Sequence, residues 1–351
     1  MTTARCELVD VTVTRWYHCI SRCVRRAFLC GEGFEHRKQW IEDRLELLAG
    51  NFAVSVAGFA VMDNHLHVLC RLDPAVAQTW SAEEVVQRWI AVYPPKSLDV
   101  DDEAVLTAWV AHQAKDAKQV ENYRQRLKEL GWFMKALKEP LSRMANREDE
   151  CRGTFWEARY KSIAILDEEA LLATCAYIDL NPVAAGLAAT PETSPHTSER
   201  QWVSHVREKG ELDRLKAARD GSVAGSRAAG NVEQDHWLVP IEDRRAHTRA
   251  RSNSDREGML ETFSLGSYLL LVDYTSRLFR SNKARVSAGV KEIFERLGTS
   301  SDYWAERMKK MLRSRDLRGN YFAGGGERIK ALSDQQGRRH LTNLSPQASA
   351  G

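Results

Sequence analysis

The amino-acid sequence predicts an α+β fold: a ferredoxin-like antiparallel sheet with helices on one face, followed by a mostly helical C-terminal region. Three observations predict it. Runs of β-branched and aromatic residues alternate with helical periods in the order β-α-β-β-α-β-α over the first 190 residues. The 351 residues are 43% hydrophobic, enough to bury a core. After Thr190 the strand signals stop while helical periodicity continues.

Residues 11–24, VTVTRWYHCISRCV, read as the first strand because they are β-branched and aromatic. HRKQWIEDRLELLAG, from His36 to Gly50, places Trp40, Ile41, Leu45 and Leu48 at helical spacing and stops at a glycine. NFAVSVAGFAVM reads as the second strand. Asp63 and Asn64 supply turn chemistry before HLHVLCRL, the third strand. From Asp73 to Gly131 polar helix with isolated Trp80, Trp89 and Trp109, broken at Tyr93-Pro94-Pro95, reads as an insertion. From Trp132 a helix resumes, with Phe133, Leu137, Leu141 and Met144 as its apolar stripe and Lys135, Lys138, Arg143 and Arg147 on its wet side. GTFWEARYKSIAIL reads as the fourth strand. DEEALLATCAYIDL, from Asp167, reads as a helix with acidic residues in its first turn and Asn181-Pro182 near its end.

The organisation expected is therefore a catalytic or nucleic-acid-binding domain over 1–190, a connecting segment and linker over 191–235, a helical accessory region over 236–340 and a disordered tail over 341–351. Within the accessory region SLGSYLLLVDYTSRLF, VKEIFERL and SSDYWAERMKKMLRSR carry the helical period. Two basic clusters, Arg244, Arg245, Arg249 and Arg251, then Arg307, Lys309, Lys310, Arg313, Arg315 and Arg318, read either as solvated helix faces or as phosphate contacts. Overall the chain is nearly neutral, with 51 Lys and Arg against 48 Asp and Glu, so any functional signal lies in placement. No run of about 18 apolar residues suggests a membrane span, and the opening residues lack a signal segment, which reads as a cytoplasmic protein. Seven cysteines without a Cys-x-x-Cys disfavour zinc and disulfide frameworks.

His65 and His67 sit two apart on a strand, so both imidazoles emerge on one face while Leu66 points the other way. Alone, the pair is either a solvated strand face or half a metal site. Tyr177 and Asn181 are four apart on the last helix and project from one side. Laid across the sheet, that helix would add a phenol and an amide oxygen to the two imidazoles. Two nitrogens and a carbonyl oxygen suit Mg²⁺ or Mn²⁺, with substrate phosphate completing the shell. A phenol with a pKa of about 10 needs a neighbouring cation or base to become a nucleophile. Its attack on a phosphodiester would expel a sugar hydroxyl and store the bond energy as a tyrosyl phosphate. The plainer reading of Tyr177 is a core tyrosine with its hydroxyl at the surface.

Three segments, TRWYHCISRCVRRAFL, VMDNHLHVL and YIDLNPVAAGL, in this order over roughly residues 11 to 190, resemble the single-tyrosine HUH transposases, specifically the REP-associated tyrosine transposase group. The resemblance implies a ferredoxin-like catalytic domain, metal-dependent cleavage and rejoining of single-stranded DNA, and a covalent 5′-phosphotyrosine intermediate. Matched residue by residue, it makes His65 and His67 metal ligands, Tyr177 the nucleophile and Asn181 the position that completes the metal shell. Phe155, Trp156, Arg159 and Tyr160 match an aromatic-basic segment near DNA. The chain departs from the group at Asp63-Asn64, where Pro-x-His is common, and at Ala184-Ala185-Gly186, where Arg-Ala-Gly is common.

The partner so implied is single-stranded DNA, in a hairpin or repeat. Trp156 and Arg159 belong to its contacts through the resemblance, and Arg22, Arg25, Arg26, Arg143, Arg152 and Lys161 are placed to hold its backbone. The rival reading is a non-catalytic nucleic-acid-binding regulatory protein on the same fold, which the missing aromatic run of an RNA-recognition strand disfavours. Dimeric relatives exchange the tyrosine helix, so a monomer and a homodimer both remain open.

Overall fold

The structure, a computed structural model, describes residues 9–96, 98–99, 101–213, 232–246, 257–261, 263–281, 294, 299–313, 321–322, 329–332 and 334. The expected linker at 220–231, the tail at 341–351, Cys6, Arg249, Arg251, Arg315 and Arg318 lie outside the described residues, as does the helix expected over 290–297 apart from a buried Phe294.

Four antiparallel strands form the sheet: β1 (Trp16–Arg22), β2 (Val54–Val61), β3 (His65–Leu72) and β4 (Lys161–Ile165). Their order, β2-β3-β1-β4, is that of the ferredoxin-like class, and a short β5 (Tyr321–Phe322) pairs parallel to β4. β1 is shorter than the β-branched run suggests. Asp10 Oδ1 accepts from the Thr12 amide (2.9 Å) and hydroxyl (2.6 Å), and this side-chain turn takes residues 11–13 out of the sheet. β4 is shorter too, because residues 158–160 bulge out before Lys161; beyond the bulge Trp156 bridges Cys23 and the Phe155 carbonyl accepts from the Val24 amide (2.9 Å), just past β1.

The crossover helices α1 (His36–Asn51) and α6 (Leu130–Glu148) pack on one another and on the face opposite the histidines. Ile41, Leu45 and Leu48 of α1 are buried, as the spacing predicts. In α6 the buried stripe is Phe133, Leu137, Leu141 and Ala145; Met144, expected in it, is exposed, because the helical period of 3.6 carries the stripe from 141 to 145. Residues 74–127 fold as α2 (Pro74–Thr79), α3 (Ala82–Val92), α4 (Glu103–Gln113) and α5 (Ala117–Leu127), with α3 against α1 and a Ser81–Glu84 capping box opening it.

The second face of the sheet is covered as well. There lie α7 (Glu168–Ala184) and, packed on it, α9 (Leu265–Ser281) and α10 (Ser301–Arg313) from the C-terminal region; α8 (Ser198–Glu208) sits beside β2. Arg307, taken from sequence as part of a basic cluster, is fully buried and ion-paired with Glu169, while Arg244 and Arg245 pair with Glu242 (2.8 Å) and Asp243 (2.7 Å). Of these arginines Arg307 is an internal tie, whereas Arg245 pairs at the surface. Among the described cysteines, Cys151 is exposed and the other five are buried as free thiols. No described helix is long and apolar enough to cross a membrane.

Leu45→Ala, at a fully buried position, is expected to destabilise the fold by about 2–5 kcal/mol, whereas Leu47→Ala on the open side of α1 should stay within about 0.5 kcal/mol. Equal shifts of the denaturant midpoint would show that α1 faces the sheet differently.

Candidate active site

β2 turns into β3 over Asp63 and Asn64, and the hairpin closes where the Met62 amide donates to the His65 carbonyl (2.8 Å). His65 and His67 then emerge on one face. In register, Arg22 stands opposite His65, Ile20 opposite His67 and His18 opposite Leu69, while Lys161 of β4 pairs with Ile20. Antiparallel partners share a face, so His18, Arg22 and Lys161 flank the histidine pair.

α7 lies across this face. Asp167 caps it by accepting from the Ala170 amide (2.8 Å), and Pro182 falls only in its last turn, so the helix persists long enough to carry both Tyr177 and Asn181 on the same side. The Tyr177 ring stands edge-on to His67 at 5.4 Å and to His18 at 5.9 Å, and His65 is edge-on to His67 at 4.9 Å. All four rings belong to one chain.

Hydrogen bonds orient the two imidazoles alike. Asn64 Oδ1, which can only accept, lies 2.7 Å from His65 Nδ1, so that nitrogen carries the proton. Asn181 Nδ2, which can only donate, faces His67 Nε2 at 3.5 Å; His67 Nδ1 therefore carries its proton and donates to His18 Nε2 at 2.9 Å. Asn181 also bears on the titration of His65, which it raises, and of Tyr177, which it lowers. The His67 Nε2 lone pair thus faces the Asn181 amide, and Nε2 is the lone-pair nitrogen of His65. Outer hydrogen bonds of this kind fix tautomer and ring orientation in metal-binding histidines.

Burial lowers the His18 pKa to about 3, with Lys161 adding to it, and lowers that of His65 to about 4, with Arg22 adding to it. His67 is pushed well down by burial, then by its histidine neighbours and Arg22. All three stay neutral near pH 7. Burial raises the Tyr177 phenol, against which the Asn181 hydrogen bond and the Arg22 charge act. Asp63, the acidic neighbour of His65, is paired with Lys38 Nζ at 2.6 Å. Among the described residues no three His, Cys, Asp or Glu side chains converge on a metal position. Two Nε2 atoms and an amide able to turn its oxygen toward them are donors a divalent cation could share, with anionic ligands left to be supplied from outside.

The remaining residues singled out in the sequence divide between the two faces. Arg22 and Lys161 border the histidines. Arg25 and Arg26 are exposed in the turn after β1, with φ of 54° and 57°. Arg143, Trp156 and Arg159 line a groove of about 620 Å³ between α6 and residues 153–160, on the α6 side of the sheet. There Arg143 pairs with Glu139 (3.0 Å), and the buried Trp156 donates from Nε1 to the Lys138 carbonyl (3.2 Å). Arg152 is exposed between α6 and β4. His18 went unnoticed in the sequence; its signal is the same-face alternation Trp16, His18, Ile20, which gains meaning only once β1 is known to pair with β3.

A solved structure described as a REP-associated tyrosine transposase bound to a REP hairpin is similar over 54% of this chain and 78% of that one, at 13% identity and a TM-score of 0.33. No family model and no curated protein matches the chain.

The neutral imidazoles give a pH dependence with a definite sign. The unfolded chain takes up protons on histidine near pH 6.5, whereas the folded chain resists until about pH 4 at His65 and about pH 3 at His18. This contribution to stability is complete above pH 6.5 and is lost as pH falls through that window. The denaturant midpoint is expected to drop between pH 7 and pH 4.5; a flat profile would mean that the folded imidazoles take up protons as readily as those of the unfolded chain.

Proposed function

We propose that the protein cleaves and rejoins single-stranded DNA through a covalent 5′-phosphotyrosine at Tyr177, as a transposase-like transesterase acting on hairpin or repeat DNA. One observation carries this reading: a phenol, two neutral imidazoles and the Asn181 amide meet within a single chain beside Arg22 and Lys161. The resemblance of the three sequence segments to single-tyrosine HUH transposases supports the same assignment.

The chemistry follows from the residue types. Tyr177 Oη forms a bond to phosphorus, the bond from phosphorus to the 3′ oxygen of the neighbouring sugar breaks, the phenolic proton passes to water, and the departing oxygen takes up a proton. Rejoining is the reverse attack, and no nucleotide cofactor is consumed. Arg22 and Lys161 draw the phosphate to this face and offset charge growing on its oxygens. A phenol raised by burial ionises more readily once a cation stands near it, which Arg22 begins to provide.

His65, His67 and Asn181 would hold Mg²⁺ or Mn²⁺, which supplies Lewis-acid polarisation of the phosphate. His18 and Asn64 are positioning residues: by accepting the Nδ1 protons they leave Nε2 as the lone-pair nitrogen of both imidazoles. Tyr177 is only 5% exposed, so the strand would enter from the end of the sheet where His65 and Arg22 are half-buried. Because Tyr177 and His67 come from one chain, each protomer would carry a complete site whether the protein is a monomer or a homodimer.

Incubation of labelled single-stranded oligonucleotides with Mn²⁺ is expected to give a denaturation-resistant protein–DNA adduct that chelation prevents and Tyr177→Phe abolishes. An equal adduct in Tyr177→Phe would refute the assignment. His18→Leu should weaken Mn²⁺ binding about 10- to 100-fold in an electron-paramagnetic-resonance titration, with His18→Gln retaining more of it. Unchanged Mn²⁺ affinity in His18→Leu would remove His18 from the site.

A further inference from the structure

Between β1 and α1 the chain makes a tight excursion at the open end of the site. Phe28 is the most exposed large apolar side chain among the described residues, at 66%. A single exposed phenylalanine is ordinarily unremarkable, but this one has unusual surroundings. Three and two residues before it, Arg25 and Arg26 are exposed and both adopt left-handed backbone angles, a conformation disfavoured for side chains with a Cβ.

This excursion is laced to the turn that presents the histidines. Asn64 Nδ2 donates to the Arg26 carbonyl (3.2 Å) while its Oδ1 holds His65, the Cys30 amide donates to Asp63 O (2.8 Å) and the Cys23 amide to Asn64 O (2.8 Å). Gly31 packs so closely that a Cβ there would stand 3.1 Å from Phe28 Cβ and 3.4 Å from Asp63 Cβ. The aromatic ring is thus carried on a fixed support beside Asp63, two residues from His65. A flat apolar ring with two adjacent guanidiniums suits one class of ligand, an unpaired base joined to phosphates; every base has a face to stack, and the guanidiniums answer the backbone charge.

We propose that Phe28, Arg25 and Arg26 form a ledge at the mouth of the site that holds one unpaired nucleotide of the DNA strand, its base on the Phe28 ring and its phosphates on the two arginines. This rests on the single-stranded DNA reading of the site and adds a stacking position next to the phosphate that Tyr177 attacks. The ledge does not depend on the metal.

The test uses the full chain carrying Tyr177→Phe, so that no strand is consumed, and a fluorescent single-stranded oligonucleotide in which one abasic site is moved along the sequence. Fluorescence anisotropy is expected to show one position, or two adjacent ones, where loss of the base weakens binding on the order of 5- to 100-fold. Phe28→Ala should erase that position-specific penalty and Phe28→Trp should keep it, with circular dichroism unchanged, as expected for an exposed side chain. Arg25→Ala with Arg26→Ala should weaken binding at every position alike and flatten its salt dependence. Unchanged abasic penalties in Phe28→Ala overturn the ledge. The adduct assay separates the two claims: adduct formation without any effect of Phe28 removes the ledge alone, a Phe28-dependent penalty without adduct in the wild type removes transesterification alone, and absence of single-strand binding removes both.

Discussion

The placement of α7 decides which side chains meet the histidines, and a buried carboxylate on its reverse side helps to hold that placement. Asp179 lies between Tyr177 and Asn181 in sequence but points away from the histidines. Its Oδ1 accepts from Ser198 Oγ (2.5 Å) and the Glu199 amide (3.0 Å), and its Oδ2 from the Tyr268 hydroxyl. Burial pushes this carboxyl upward in pKa while the Ser198 and Tyr268 hydrogen bonds oppose the shift. One side chain therefore ties α7 to the start of α8 and to α9. A rotation of α7 by one residue, about 100°, would break all three bonds and carry Tyr177 off the histidine face.

That constraint explains why the C-terminal region packs where it does. In a sheet with helices on one side only, the histidine face would be open. Here α7 lies over it with α9 and α10 packed on α7, the buried Arg307–Glu169 pair joins α10 to the first turn of α7, and Trp304 donates to Thr275 Oγ1 at 3.0 Å between α10 and α9. The cover leaves the half-buried His65 and Arg22 at one end and removes water from the imidazoles, which keeps them neutral beside cations that already disfavour protonation. Neutral donors next to positive charge and without a carboxylate among them give a centre that calls for an anion. In the proposed reading the phosphate meets that demand, so the cation and the strand would bind better together than apart.

Much of this was legible in one sequence because the signals were local. The strand period put His65 and His67 on one face, the helix period put Tyr177 and Asn181 on one side, and Asp167 marked the start of α7; each depends on neighbours only a few residues away. Signals that failed were those decided by distant partners. Arg307 reads as a surface cation until Glu169 is seen beside it, Met144 reads as core until Ala145 is found in the packed position, and Phe155–Trp156 read as part of β4 until the bulge at 158–160 separates them from it.

The sequence by itself determined the alternation of strands and helices, the shared faces of the histidines and of Tyr177 with Asn181, and the helical character of residues 74–127, since periodicity and capping are properties of short stretches of chain. Only the tertiary structure decided that β1 lies between β3 and β4, which brings His18 to His67 and sets Arg22 and Lys161 beside the pair. It alone placed Tyr177 on the same face, and it sent Arg143 and Trp156 to the opposite one. Strand order and helix docking depend on contacts between residues far apart in the chain, such as His18 with His67 and Asp179 with Tyr268, and no local pattern encodes which of the many chemically acceptable pairings will form.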